Sequence, residues 1–225
     1  MCPCVLFDFW RTLIEPPEDL TVFYRHRVSR ILEKEGIGDP KFVDASTRVY
    51  MRLLSTINRI RRTRLVEVPA EYEISLFLNS VGIEVDRVRD EHLEAYASSM
   101  LELTRLKRSV REVLSQLREE GFKLAIVSNT PYHDMVVGKM RRDGILGFFD
   151  VVVTSHRVGV RKPKEEIFGY ALEVLGGKVD DAVMVGDTPY QDILGAKKVG
   201  MRAVWVYRSV DEEPSTADGV IRGIE

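Results

Sequence analysis

Residues 5–13 read Val5-Leu6-Phe7-Asp8-Phe9-Trp10-Arg11-Thr12-Leu13, a short continuous apolar run that stops on a carboxylate. A run too short for a helix and without alternation is the pattern of a strand buried on both faces, as in a parallel sheet. Four further runs lie downstream: Leu124-Ala125-Ile126-Val127, Val151-Val152-Val153, Ala182-Val183-Met184-Val185 and Ala203-Val204-Trp205-Val206. Helical periodicity fills the gaps, over 110–121, 131–143, 164–175 and 189–199. Gly121, Gly176-Gly177 and Gly200 mark three helix ends. Strands separated by helices of this length imply βαβ units, hence an α/β fold with a doubly wound, Rossmann-like parallel sheet.

Between the first strand and residue 105 the pattern is helical throughout. Phe42, Val49, Leu53, Ile57 and Ile60 recur at helical spacing, as do Ile74, Phe77, Leu78 and Val81, and then Leu93, Tyr96, Ala97, Met100 and Leu101. Four helices are predicted near 18–35, 40–62, 69–81 and 86–103, separated by Gly36 to Pro40 and by Val81-Gly82. Pro69 suits a first helical turn, and Glu71 and Glu73 lie near its positive end. The expected organisation is therefore a core made of 1–16 and 105–225, interrupted by an all-α, four-helix unit over 17–104.

Composition removes several function classes. The chain has 225 residues, 44% hydrophobic and 30% charged, which is ordinary globular composition. A net charge of -2, from 33 basic and 35 acidic residues, gives no bulk attraction to nucleic acid or to an anionic membrane. No apolar run approaches the length of a membrane span. The start, Met1-Cys2-Pro3-Cys4, has no basic segment, and Asp8 interrupts the apolar stretch, so no signal peptide is expected and a cytoplasmic location is. Cys2 and Cys4 lack the second Cys/His pair of a zinc site and read as small buried hydrophobes in a reducing compartment. Three Asn and two Gln in a charge-rich chain point to a thermophilic source. Monomer and homodimer are both open.

In open parallel sheets, ligands bind beyond the carboxyl ends of the strands. The residues there are Asp8 to Thr12, then Ser128-Asn129-Thr130, then Ser155 to Pro163 with Lys162, then Gly186-Asp187-Thr188. Carboxylates, hydroxyls and one lysine thus collect on a single rim.

With these residues in view, the chain resembles the haloacid dehalogenase superfamily. The segment 5–13 is similar to its first motif, an apolar strand followed by D-x-D-x-T. Ser128-Asn129-Thr130 matches the second, Lys162-Pro163 the third, and Gly186-Asp187 with Asp192 and Gly195-Ala196 the fourth. The resemblance implies an α-helical cap over 17–104 and a Mg²⁺-dependent phosphatase that acts on a small phosphorylated metabolite. Asp8 would be the nucleophile, dividing hydrolysis into two steps through an aspartyl-phosphate. Asp8, Asp187, Asp192 and the Trp10 carbonyl would ligate Mg²⁺, a cation that prefers oxygen donors. Lys162 would offset carboxylate charge, while Thr12, Ser128 and Asn129 would assist at the reacting group. Trp10, Arg11, Thr130 and His133 are the expected substrate contacts.

Two positions depart from the family pattern. Most phosphatases of the family carry an aspartate two residues after the nucleophile, as general acid and then base. Here that residue is Trp10, and Arg11 replaces the usual glycine. General acid–base assistance is typically worth ~10²–10⁴ in rate, so the change favours good leaving groups such as acyl phosphates or aryl esters. An aromatic residue at this position also resembles the 2-haloacid dehalogenases, a metal-independent alternative. A phosphate-binding protein with weak turnover is the other alternative. Glu15, Glu18 and Asp19 are candidates for the missing acid, and Tyr132 and Tyr190 for the pocket wall. Arg59, Arg61, Arg62 and Arg64 read as a solvated helix end. The family usually continues into a final helix after the segment Val220-Ile221-Arg222.

Overall fold

The computed structural model describes residues 3–207 and 216–224. It divides into two compact units, Met1–Glu15 with Arg105–Glu225, and Pro16–Thr104. The first strand, β1 (Cys4–Phe7), is buried along its whole length. Cys4 is buried, and Cys2 lies outside the described residues. The chain leaves through the two-residue strand β2 (Ile14–Glu15) and returns through β3 (Arg105–Leu106), which pair antiparallel. Neither strand shows in the hydropathy pattern, because two residues are too few to carry a period.

The helical unit contains α1 (Leu20–Glu33), α2 (Pro40–Arg64), α3 (Ala70–Ser80) and α4 (Asp90–Leu103). Asp19 caps α1 by accepting from the Thr21 N–H at 2.8 Å, and Asp39 caps α2 from the Phe42 N–H at 2.8 Å. The fourth helix begins at Asp90 rather than near 86. There His92 Nδ1 accepts from the Arg89 N–H at 3.0 Å, and its Nε2–H reaches Glu35 at 2.6 Å.

The buried face of α2 differs from the apolar spacing. Val43, Ser46, Thr47, Tyr50, Leu54, Ile57 and Arg61 face the core, whereas Ile60 is 43% exposed. The face is rotated by about one residue because polar groups earn burial here through partners. The Tyr50 hydroxyl donates to Glu73. Tyr96 donates to the same carboxylate at 2.9 Å, and Arg61 Nη2 does so at 2.8 Å. Arg61 also lies 2.8 Å from Glu67, so it is a buried ion-pair residue, not part of the solvated helix end. Arg59, Arg62 and Arg64 are exposed as expected. Arg27 is buried over the Tyr96 ring at 3.8 Å and bonds Ser99 and Tyr50.

After β3 come α5 (Val110–Glu119), β4 (Lys123–Ser128), α6 (His133–Arg142), β5 (Val151–Thr154), α7 (Ser155–Val158) and α8 (Glu165–Leu175). Then follow β6 (Ala182–Gly186), a π-helical turn (Pro189–Ile193), α9 (Leu194–Lys198), β7 (Arg202–Val206) and β8 (Gly219–Ile221). The single helix expected over 189–199 is thus two pieces, a wide turn and a short α-helix. Such π-turns are rare overall and frequent at functional positions.

The strands pair in parallel in the order β5-β4-β1-β6-β7-β8. Ranked along the chain without the β2–β3 pair, this is 3-2-1-4-5-6, the doubly wound Rossmann-like order. One face of the sheet packs Leu6, Val127, Val153, Met184 and Trp205 against Phe168 and Leu172 of α8. The order reverses between β1 and β6, so the crevice for a ligand lies beyond Phe7 and Gly186.

Candidate functional site

Asp8 and Asp187 are the first residues after β1 and β6, on either side of that switch point. The Asp8 N–H donates to the Val185 carbonyl at 2.8 Å, which stitches the end of β1 to β6. The chain then turns tightly: the N–H groups of Leu13 and Ile14 both donate to the Phe9 carbonyl, at 3.0 and 3.3 Å. Within the turn, Thr12 Oγ1 donates to Asp8 Oδ2 at 3.1 Å. Arg11 sits at φ 64°, a left-handed conformation that costs a residue with a Cβ about 1–2 kcal/mol. Its carbonyl accepts from Lys107 Nζ at 2.5 Å, and the Lys107 N–H donates to the Leu13 carbonyl at 3.0 Å. Lys107, just after β3, therefore pins this turn.

Lys162 arrives from the loop before α8. Its Nζ lies 2.7 Å from Asp8 Oδ1 and 2.6 Å from Asp192 Oδ1, the second pair off the hydrogen-bond line. Burial alone would lower this lysine, but Asp192 and Asp8 outweigh it and raise the ammonium above its ordinary value. Asp192 is pushed up to about 7, chiefly by burial and further by Asp8, against the opposing pull of Lys162 and the Thr188 N–H. The π-turn aims Asp192 back at the strand end, where its Oδ2 accepts from the Thr188 N–H at 2.9 Å. A Cβ on Gly186 would fall 2.4 Å from this carboxylate, so only glycine leaves room for it. Thr188 Oγ1 donates to Asp187 Oδ1 at 3.3 Å, and the buried indole of Trp205 donates to the Asp187 carbonyl at 3.1 Å.

Asp8, Asp187 and Asp192 are all buried, and each offers a carboxylate oxygen within 4.8 Å of the others. Three carboxylates face one ammonium, which leaves excess negative charge out of water. Buried charge of this kind is costly unless compensated. Hard oxygen donors with surplus charge suit a hard divalent cation, so the residues present fit Mg²⁺.

The other expected residues fall into two groups. Ser128 ends β4 on the same rim, buried, and its hydroxyl has no protein hydrogen-bond partner among the described residues. Asn129 stands in the wall: its Nδ2 donates to the Lys162 carbonyl and to Gln191 Oε1, and its Oδ1 accepts from the Lys162 N–H at 2.9 Å. Thr130 is occupied with Ser155 and with the turn to Tyr132. His133 Nδ1 bonds Thr154 at 3.0 Å, and burial followed by Arg157 lowers its pKa. No hydrogen bond joins His133 to the acidic cluster. Trp10 is half-buried and bridges to Ile14 across the turn. Glu15 is exposed, and Asp19 is occupied as a helix cap. Thr188 stands on the rim that the sequence marks, whereas Gln191, Trp205 and Lys107 are not legible as site residues. Gln191 adjoins Asp192 in sequence, and Trp205 is found only from its register opposite Gly186.

Residues 3–200 match the model of a hydrolase family, described as haloacid dehalogenase-like hydrolase. The chain is 39% identical over 112 residues to a glyceraldehyde 3-phosphate phosphatase of Pyrococcus abyssi, an alignment covering 49% of this chain and 46% of that protein. The chain thus spans about half the length of the first curated relatives it matches. A second such phosphatase, from Methanopyrus kandleri, is 36% identical over 230 residues, covering 98% of this chain and 91% of the relative. The solved structure of a HAD phosphatase from Thermococcus onnurineus superimposes with TM-score 0.70 at 31% identity, covering 99% of this chain and 94% of the other.

Proposed function

The chain belongs to the haloacid dehalogenase-like hydrolase family, and from that premise we propose that it is a Mg²⁺-dependent phosphatase of a small phosphorylated metabolite. One observation carries the reading: Asp8 is held by Lys162 on one oxygen and Thr12 on the other, inside a buried cluster with Asp187 and Asp192. Similarity to phosphatases at 36–39% identity supports the same reaction class.

In this reading Asp8 attacks phosphorus, a bond forms from its carboxylate oxygen, and the bond to the leaving oxygen breaks. Lys162 keeps Asp8 aligned and offsets its charge as the phosphoryl dianion approaches. The uncommitted Ser128 hydroxyl is available to the transferring oxygens. Asn129 and Gln191 do not touch the reacting atoms; they fix the Lys162 loop against the π-turn. Bound by Asp8, Asp187, Asp192 and the Trp10 carbonyl, Mg²⁺ would supply positive charge and Lewis acidity. Water then attacks the aspartyl-phosphate and returns Asp8 to its carboxylate. Residues 17–104 would act as a cap that selects the substrate.

A cytoplasmic location and, from the few amides in a charge-rich chain, a thermophilic source belong to the same reading, which leaves monomer and homodimer both open. Among the described residues, no helix is long and apolar enough to cross a membrane. Halide displacement is the weaker alternative, since it gives Asp187 and Asp192 no task. The test is a panel of phosphorylated sugars, acids and nucleotides, assayed with the full chain in Mg²⁺ and in EDTA. Phosphate release that requires Mg²⁺ and disappears in Asp8→Asn is expected. Halide release from a 2-haloacid in EDTA, or phosphate binding without turnover, would overturn the reading.

A further inference from the structure

We infer that the substrate of this site is an acyl phosphate, whose leaving group departs as a carboxylate anion received by Arg11. The inference rests on the phosphatase reading and specifies the bond that breaks. An alkyl phosphate expels an alkoxide, which needs a proton from a positioned acid at the moment of cleavage. Among the described residues, the side chains that bond Asp8, together with Asp192, Trp10 and His133, do not provide one. Thr12 spends its hydroxyl proton on Asp8 itself. Lys162 is locked between Asp8 and Asp192, and losing its proton would leave three carboxylates without a counter-charge. Asp192 has one oxygen on the Thr188 N–H and the other against Lys162. Trp10 carries no acidic proton, and His133 is bonded to Thr154 rather than to any member of the cluster.

What the turn does offer is an anion receiver. The guanidinium of Arg11, one residue before Thr12, has no hydrogen-bond or ion-pair partner among the described residues. The backbone of Arg11 is held at φ 64° in a turn fastened by Lys107. Strained backbone of this kind persists where surrounding structure enforces it, and it concentrates at functional sites. A guanidinium is permanently charged, and its planar fork matches a carboxylate in two parallel hydrogen bonds. It suits a leaving group that is already an anion and cannot supply a proton to one that is not.

The reaction balances without proton transfer in its first half. An Asp8 carboxylate oxygen bonds to phosphorus, the bond from phosphorus to the acyl oxygen breaks, and the electron pair leaves with the product carboxylate. One carboxylic–phosphoric anhydride is exchanged for another, so the step is nearly isoenergetic. In the second half, water attacks phosphorus, the electron pair returns to Asp8, and the protons of water remain with inorganic phosphate and solvent. The absence of a positioned base makes this half the slower one.

The experiment compares acetyl phosphate and benzoyl phosphate with 4-nitrophenyl phosphate and glycerol 3-phosphate, using the full chain in Mg²⁺, with Asp8→Asn as background. The acyl phosphates are expected to exceed glycerol 3-phosphate in kcat/KM by at least about 10²-fold, with a burst of carboxylate in rapid quench. Arg11→Gln should lower kcat/KM for acyl phosphates about tenfold, the loss of a charge-assisted hydrogen bond. The loss on 4-nitrophenyl phosphate, whose leaving group needs no proton but is not a carboxylate, should be clearly smaller. If glycerol 3-phosphate runs within about tenfold of the acyl phosphates, the inference fails and the phosphatase reading stands. An equal loss on every substrate in Arg11→Gln overturns the role of Arg11. Turnover of none of the four above background overturns both.

Discussion

In the helical unit, Arg27 and Arg61 are buried with Glu67 and Glu73; in the α/β unit, Lys162 is buried with Asp8, Asp187 and Asp192. The first cluster is neutral, and its groups are tied by Tyr50, Tyr96, Ser99 and the Val68 carbonyl. The second has three acids for one base, and one of those acids is raised to about 7, first of all by burial. Two buried clusters of similar size thus have different electrostatic endpoints. One is complete within the protein, as a structural ion pair must be. The other carries surplus negative charge, which an added cation would offset. Charge balance therefore separates a scaffold from a site more sharply than burial does.

The largest expected effect falls on chemistry. Asp8→Asn keeps the shape while removing the attacking charge, and its single amide oxygen can accept from Thr12 or from Lys162 but not from both at their present positions. Turnover should drop by at least about 10³-fold, with the far-ultraviolet circular dichroism unchanged. In the helical unit the same kind of substitution should act on the fold instead. Glu73→Gln leaves Arg61 and Arg27 short of a counter-charge in a buried network, and urea denaturation should register a loss of about 3–5 kcal/mol. A loss below 1 kcal/mol would mean that the cluster tolerates imbalance and that the contrast between the units is false.

The smallest effect concerns acid stability. Burial would raise the Glu35 carboxylate, but hydrogen bonds from His92 and Arg89 win and hold it below its ordinary value. A carboxyl group lowered by folding contributes stability that is full above its unfolded pKa and is lost as pH falls through its folded one. Glu35→Gln should therefore flatten the acid side of the stability profile by less than about 1 kcal/mol and change little at neutral pH. An unchanged acid slope in the variant would remove Glu35 from the acid-labile set.

The strand ends carried most of what could be read beforehand. Asp8 directly follows an apolar run, and Asp187 follows one across Gly186. Thr12 and Asp192 lie four and five residues beyond these aspartates, Lys162 is nine residues beyond Val153, and parallel topology gathers such positions on one rim. Hydropathy spacing located four helices but placed the face of α2 one residue off. It has no means of crediting Ser46, Thr47, Tyr50 and Arg61 with burial through polar partners. The π-turn at Pro189–Ile193 was invisible for a related reason, since its cause is a side chain, Asp192, folding back onto Gly186. Lys107 and Trp205 act through backbone carbonyls, Arg11 and Asp187, and no residue pattern marks a donor whose acceptor lies 96 or 18 positions away. Trp10 stands at the position where the family pattern places an acid, yet its neighbour Arg11 is the residue that the turn holds in a strained conformation.

The most direct measurement compares Asp187→Asn with Glu73→Gln by urea denaturation of EDTA-treated protein, and then titrates Mg²⁺. Removing one negative charge from the over-acidic cluster should stabilise the metal-free fold by about 1 kcal/mol, the scale of a single pKa unit, while Glu73→Gln destabilises it. Added Mg²⁺ should stabilise the wild type by mass action and leave Asp187→Asn nearly unmoved. Destabilisation by both variants in EDTA, with no response of the wild type to millimolar Mg²⁺, would contradict the claim that the α/β cluster is built to be completed by a cation.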